Sequence, residues 1–210
     1  MLNFFFCIRA GIDFKKRANI LVKELFRKTI HMCTAFVPLF LSFAKIPVII
    51  ILSFMLAFYV LCESLRKRGT EIPVISEITE AAARKRDENR FVLGPVTLVL
   101  GIILSALIWN EKAAAIGIFA LAFGDGLASL AGKAFGNIRI PFTNGKTAEG
   151  SLTCFFAIFC SSWFIYQNTL AAIITACAGA FIEVLPLKDF DNFFIPILLG
   201  AVAEILLPHI

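Results

Sequence analysis

Long apolar runs separated by short polar segments dominate the sequence. Seven runs approach the roughly 17–25 apolar residues that a helix needs to cross a bilayer. They lie at 29–44, 46–62, 91–109, 113–131, 151–166, 169–186 and 193–208. The pattern predicts an all-α fold, a polytopic transmembrane helical bundle with about seven spans.

The polar segments predict one integral-membrane domain over 1–210. Residues 14–28 carry apolar residues at helical spacing among basic ones, which predicts an interfacial helix within the N-terminal segment 1–28. Residues 63–90 are the longest polar connector, and 132–150 form a polar loop. The other connections (Lys45, 110–112 and 167–168) are too short to build a site.

Composition agrees with a membrane protein. The chain is 59% hydrophobic and 17% charged, whereas a soluble domain is about half apolar and a quarter charged. Its six cysteines form no CxxC pair and lie mostly in apolar runs. We expect them to be small buried hydrophobic residues rather than disulfides or metal ligands.

Charge placement predicts the orientation. With a cytoplasmic N-terminus, the inner segments hold all of the 20 Lys and Arg residues except Lys45 and Lys112. This is the positive-inside pattern, and the net charge of +5 suits an anionic leaflet. Nothing else in the sequence supports nucleic-acid binding.

An aspartate inside an apolar run is the first candidate for chemistry. Asp125 stands between Gly124 and Gly126 in the run 113–131. A charge at a helix centre costs roughly 2.5–3.5 kcal/mol to insert, so it normally faces a polar cavity or a partner. The two glycines favour a local helix break. The alternative is a structural aspartate that caps a broken helix.

Small residues follow Asp125 at helical spacing. They are Ala128, Ser129, Gly132 and Gly136. Such a stripe lets a helix backbone or a flat ligand approach closely. The pattern alone favours helix packing, but here an acidic residue begins the stripe and a basic loop ends it.

That loop contains the sequence "NGKTAEGS" at 144–151. Gly145 frees the backbone, Lys146 can reach a phosphate, and Thr147 can cap the next helix or touch a metal. The amides at the helix start favour an anion. Ile140 stands where a Walker motif needs glycine, so the loop is not a P-loop.

Further charged residues are predicted at the same inner ends of the helices. Glu149 begins the fifth run, Glu183 ends the sixth, and Asp191 and Asn192 precede the seventh. Carboxylate and phosphate oxygens are the ligands that magnesium takes. Glu204, near the opposite end, is predicted to be a packing or interfacial residue.

The sequence "ELFRKTIHM" adds a polar helical face near the N-terminus. Glu24, Arg27, Lys28 and His31 are three or four residues apart. His31 could be a general base or an interfacial histidine. A magnesium–nucleotide that meets a membrane-embedded alcohol or phosphate is the simplest chemistry that uses all of these groups.

The motifs also resemble a known family. "GDGLASLAGKAFG" followed by "GKTAEGSL" is similar to the CTP-dependent lipid-alcohol kinases, which include dolichol kinase, phytol kinase and the CTP-using diacylglycerol kinase. "ELFRKTIH", "LGPVTLVLG" at 93–101 and "EVLPLKDFDNFFIPIL" at 183–198 occur in the family's order. The resemblance covers about 24–200 and does not identify the member.

The resemblance implies a multi-pass enzyme that transfers the γ-phosphate of CTP to a lipid hydroxyl with Mg²⁺ or another divalent cation. The catalytic residues it implies are Asp125, Lys146 and His31. With Ser129 from the stripe of small residues and Gly145 from the loop, the predicted nucleotide-binding residues are Arg27, Lys28, Ser129, Gly132, Lys133, Gly136, Gly145 and Thr147. The implied metal ligands are Asp125, Glu149, Glu183, Asp191 and Asn192. Phe190 departs from the family's acidic pattern, which leaves Asp189 or Asp191 to supply the acid.

Two alternatives remain open. A phosphatidate cytidylyltransferase is also membrane-bound and CTP-dependent, but its PGHGG signature is absent. A small transporter would need polar residues near the midplane and inverted repeats, and neither is visible. The sequence leaves open the lipid alcohol, the oligomeric state and the membrane, whether bacterial plasma membrane or endoplasmic reticulum. The site is expected on the cytoplasmic face.

Overall fold

The computed structural model describes residues 22, 24–70, 90–143 and 145–209. Most of the predicted N-terminal segment 1–28 and most of the connector 63–90 lie outside the described residues. The described part is helical, without a β-strand, which confirms the all-α prediction. Its helices are α1 (Glu24–Lys67), α2 (Gly94–Ile108), α3 (Glu111–Phe135), α4 (Ala148–Tyr166), α5 (Thr169–Val184) and α6 (Asp191–Leu206).

The helices coincide with the predicted apolar runs. Four of them, α1, α3, α4 and α6 with its short extension to His209, are long and apolar enough to cross a membrane. Helices α2 and α5 are apolar but shorter. Two predicted runs fall within α1 and one in each other helix. The number of spans and the side of the N-terminus remain predictions.

Helix α1 contains a sharp break. Ala44 has φ −154° and ψ 76°, outside the helical region. Lys28, before the break, pairs with Asp125, and Tyr59, after it, donates a hydrogen bond to the carbonyl of Val92 (3.0 Å), just before α2. The first residues of α6 share a cavity with Asp125 and bond the start of α2. Both arms of α1 therefore return to one end of the bundle, so the chain turns at Ala44, beside the predicted connection at Lys45.

Helix α3 occupies the interior and carries a wide turn. It is the most deeply buried of the four long helices, and α1 is the most exposed. Residues Ala120–Asp125 form a π-helical segment, after which α-helix resumes at Gly126. The helix therefore widens near Asp125 where the sequence predicted a break. Such segments occur often at functional sites.

The core fixes α3 in this place. Leu121 of α3 packs in one core with large, almost fully buried side chains from the helices around it: Ile102, Ile158, Ile195 and Leu199. A Cβ on Gly124 would lie 2.8 Å from the side chain of Ile158. Glycine at that position therefore lets α3 and α4 pack closely, and this packing holds Asp125 inside the bundle.

The cysteines only partly follow the prediction. Cys62 and Cys154 are buried, but Cys33, Cys160 and Cys177 are exposed, so burial was wrong for these three. All five are free thiols, and Cys7 lies outside the described residues. Apolar helix surfaces that would face lipid tolerate an exposed cysteine, which hydropathy alone does not distinguish from a buried one.

Candidate active site

A cavity of about 310 Å³ opens at the end of the bundle where α3 stops and α4 begins. Its lining comes from α1, α3, α4, α5, the loop between α3 and α4, and the segment before α6. The charged residues that line it are Arg27, Lys28, Lys133, Lys146 and Lys188, with the carboxylates Asp125, Glu183 and Asp191. Cations outnumber carboxylates, so the cavity favours a polyanion.

Asp125 lies at the inner wall of this cavity, next to two side chains of α1. Lys28 donates to its Oδ2, and both side chains are buried. His31 Nε2 lies 3.3 Å from the same oxygen and 3.1 Å from the carbonyl oxygen of Leu121. Because a carbonyl oxygen only accepts, Nε2 carries the proton in this arrangement. His31 therefore donates to Leu121 and lies beside Asp125. In the described residues, Asp125 makes no side-chain cap to its helix, so the capping alternative is not observed.

A second pair of opposite charges stands across the cavity. Lys146 Nζ lies 3.1 Å from Glu183 Oε1 and also donates to the backbone carbonyl of Glu183. Ser151 Oγ donates to Glu183 Oε2 at 3.0 Å. Gly145, with φ 86°, supplies the left-handed turn that precedes Lys146. Asp125 and Glu183 thus each already have a lysine partner.

Glu24 is a buried carboxylate that accepts hydrogen bonds from three side chains. It is in none of the predicted catalytic, nucleotide-binding or metal-binding sets. Its Oε1 accepts from Arg27 (2.6 Å) and from Ser129, and its Oε2 accepts from Lys133. All three donors line the cavity. The spacing of "ELFRKTIH" gave a signal, since Glu24 shares a helical face with Lys28. Lys188, which also lines the cavity, was missed as well.

The glycine stripe serves helix packing. A Cβ on Gly132 would lie 2.8 Å from Thr147 Oγ1, and one on Gly150 would lie 2.9 Å from the carbonyl oxygen of Ala128. These glycines let the end of α3 cross the start of α4 closely. Thr147 caps α4, because its hydroxyl accepts from the amide of Gly150 at 3.2 Å. Both roles were among the alternatives that the sequence offered.

The structure gathers most of the predicted site residues but not all. Those that line the cavity are Arg27, Lys28, Asp125, Ser129, Gly132, Lys133, Gly145, Lys146, Thr147, Glu183 and Asp191. His31 reaches the site only through Asp125. Asp191 lines the cavity and Asp189 does not, which favours Asp191 as the acid of that segment.

Besides His31, three further predicted residues do not line the cavity. Gly136 packs against Thr147, where a Cβ would lie 2.7 Å from the side chain. Glu149 accepts hydrogen bonds from the amides of Asn137 (2.9 Å) and Ile138 (3.2 Å), and so ties the loop to α4. The side-chain amide of Asn192 donates to the backbone carbonyl of Gly94 at 3.4 Å. Among the described residues, no three His, Cys, Asp or Glu side chains form a ready metal cluster.

Comparisons with known proteins add an independent finding. The chain is 27% identical to "Probable phytol kinase 1, chloroplastic" of Glycine max, covering 95% of this chain and 72% of that protein. It is 26% identical to "Phytol kinase 1, chloroplastic" of Arabidopsis thaliana, covering 86% of this chain and 66% of that protein. "Farnesol kinase, chloroplastic" of Arabidopsis thaliana is 26% identical over 61% of this chain and 47% of its own length. No protein-family model matches the chain, and no solved structure matches it significantly.

Proposed function

The chain is a relative of the phytol and farnesol kinases, as its motifs predicted, and from this premise we propose that it is a CTP-dependent lipid-alcohol kinase. It transfers the γ-phosphate of CTP to the hydroxyl of a membrane alcohol. The relatives' names favour isoprenoid alcohols over diacylglycerol as acceptor. One observation carries the proposal: a buried aspartate, Asp125, faces a cation-lined cavity at one end of a bundle of apolar helices.

The cations of the cavity would hold the triphosphate. Phosphoryl transfer needs positioning and neutralisation of charge more than covalent chemistry by the protein. Lys28 and Lys146 come from opposite walls, and Arg27 can offer a planar guanidinium to phosphate oxygens.

The carboxylates of the cavity fit a magnesium ion that arrives with the nucleotide. Magnesium in such sites takes one or two carboxylates plus phosphate oxygens and water, so a cluster of three protein ligands is not required. Asp125 and Glu183 would hold it, and bound magnesium neutralises charge on the phosphate oxygens. Lys28 and Lys146 would then move from these carboxylates onto the phosphates.

Asp125 is the best candidate for the group that receives the hydroxyl proton. Its Oδ2 is the meeting point of Lys28 and His31. His31 Nε2 donates to Leu121, so this nitrogen cannot serve as the base without a change of tautomer. We assign His31 the role of orienting Asp125.

Labelled nucleotide tests the proposal directly. The purified chain is incubated with CTP labelled at the γ- or the α-phosphorus, or with γ-labelled ATP, and with phytol, farnesol, dolichol, diacylglycerol or phosphatidate. We expect γ-label in the lipid product. α-Label in the lipid would instead identify a cytidylyltransferase, and no transfer from any nucleotide to any alcohol would contradict the kinase.

A further inference from the structure

The loop between α3 and α4 is a short hairpin, which we call the α3–α4 hairpin (residues 136–147; Asn144 is not described). Arg139 and Thr147 form an isolated antiparallel bridge. The amide of Ile140 donates to the carbonyl of Lys146, and the amide of Ala148 donates to the carbonyl of Ile138, both at 2.9 Å. The two arms are therefore held in register by backbone hydrogen bonds.

The tip of this hairpin presents an aromatic side chain outward at a conformational cost. Phe142 has φ 64° and is 98% exposed. The left-handed region is sterically unfavourable for any residue with a Cβ, and a bulky residue there is an outlier. Glycine would avoid this cost, and the protein core gains nothing from an exposed ring. A partner beyond the described residues would explain why phenylalanine stands there.

Two more apolar side chains extend the surface. Phe135 is 74% exposed and Ile138 is 66% exposed. With Phe142 they form what we call the tip patch. Arg139, also exposed, lies within the same arm. An apolar patch with a cation beside it matches the layer of a bilayer where acyl chains meet anionic headgroups.

The two helices that flank the hairpin indicate what covers the tip patch. Both α3, which ends at Phe135, and α4, which begins at Ala148, are long and apolar enough to cross a membrane. The hairpin between them cannot move far from the membrane surface. We propose that the tip patch inserts into the interfacial layer of the bilayer that holds α3 and α4, with Arg139 against lipid phosphates.

This insertion would position the candidate site. The second arm of the hairpin carries Lys146 and Thr147, which line the cavity. A tip fixed in the bilayer therefore keeps this wall of the cavity at headgroup depth, where the hydroxyl of a lipid alcohol lies. This consequence rests on the proposed function, whereas insertion of the tip patch does not.

Fluorescence quenching tests the insertion without an activity measurement. The full chain with Phe142→Trp is placed in lipid nanodiscs, and the signal of the parent protein, from Trp109 and Trp163, is subtracted. We expect the added tryptophan to be quenched by lipids brominated near the headgroup and protected from aqueous iodide. Quenching by iodide alone would overturn the proposal. Protection from both quenchers would also overturn it, and would indicate protein contact such as a second copy.

A pair of glycine substitutions separates insertion from strain. Gln167, in the connection between α4 and α5, also has a positive φ of 55°. Phe142→Gly and Gln167→Gly both relieve this strain, so neither should lower the unfolding temperature in detergent. Only Phe142→Gly should raise the KM for a bilayer-presented lipid alcohol, by about tenfold.

The outcomes of the two experiments are distinguishable. Equal KM values for Phe142→Gly and the parent would overturn the positioning role. If the parent protein transfers no phosphate to any alcohol, the proposed function fails, and the quenching result alone decides whether the tip patch inserts.

Discussion

A single buried carboxylate carries most of the proposed chemistry. Asp125 faces the cavity and is paired with Lys28, with His31 at 3.3 Å. An amide at this position keeps the size of the side chain, but it cannot take up the proton and, being uncharged, it holds a cation less strongly than the carboxylate does. We expect Asp125→Asn to lower kcat by about 10²–10⁴-fold, the usual contribution of a positioned base.

The measurement for Asp125→Asn is γ-phosphate transfer, normalised to folded protein in the membrane fraction. Helical circular dichroism and the elution profile in detergent show whether the variant folds. Turnover close to that of the parent protein would remove Asp125 from the mechanism.

We predict that the ammonium group of Lys28 neutralises Asp125 as long as no metal ion is bound there. Its ammonium group occupies the carboxylate that a cation would use. Removing a positive charge beside a carboxylate strengthens the attraction of that carboxylate for a metal ion. We therefore expect Lys28→Met to bind Mn²⁺ alone about tenfold more tightly than the parent protein, measured by calorimetry without nucleotide.

Lys188→Met is the matched control for this experiment. Lys188 also lines the cavity, but no ion pair with a carboxylate is recorded for it among the described residues. The control loses the same charge without freeing a ligand. An equal gain in Mn²⁺ affinity in both variants would show that only the net charge matters, and would contradict the predicted role of Lys28.

Single residues were predictable where they break a pattern. Asp125 was found because a charge inside an apolar run is costly. Glu149 and Asn192 were assigned to the metal because they neighbour the motifs, but their side chains bond backbone groups beside the cavity. Sequence spacing gives the face of a helix. It does not give the direction of a side chain, which here follows from backbone groups of the loop after α3 and of the start of α2 that only the fold brings close.

Among the helices, two buried glutamates tie α1 to its neighbours. Glu24 joins α1 to α3 through Ser129 and Lys133. Glu63 accepts from Arg66 at 2.7 and 2.8 Å and from the amide of Val92 at 2.9 Å, and so joins the other end of α1 to α2. The two glutamates are similar in burial and pairing, but only the donors of Glu24 line the cavity.

This similarity supports a paired prediction. Glu24→Gln and Glu63→Gln should each destabilise the fold, by about 1–3 kcal/mol, because each weakens charge-assisted bonds to a buried carboxylate. Only Glu24→Gln should also lower kcat/KM, by about 10–100-fold, since Lys133 and the arm that carries Lys28 lose their anchor. Thermal unfolding and transfer kinetics, measured on both variants, check this. An equal loss of activity in the two would show that stability alone explains it.

The helices themselves were largely predictable because their signal is the length of an apolar run. Each run corresponds to a helix, and the predicted connection at Lys45 lies beside the break at Ala44. The π-helical turn before Gly126 was not predictable, because it depends on how α3 fits against α4. The packing of α3 against the start of α4 also explains why the small residues after Asp125 contact a neighbouring helix.

On the scale of the whole molecule, the distribution of charge links topology to the site. The predicted inner segments contain almost all of the Lys and Arg residues of the chain. The cations that line the cavity belong to these same segments. If the positive-inside rule governs insertion, the cavity must open on the cytoplasmic side. The residues that would bind the nucleotide then also direct the orientation of the protein.

Sealed vesicles test this orientation, since CTP does not cross a bilayer unaided. Inside-out vesicles that contain the chain should transfer phosphate from external CTP to a membrane alcohol, because their cytoplasmic surface faces the medium. Right-side-out vesicles should do so only after detergent opens them. Activity in intact right-side-out vesicles would place the cavity on the opposite side. It would also mean that the positive charges serve the nucleotide alone, because the orientation would then run against the charge rule.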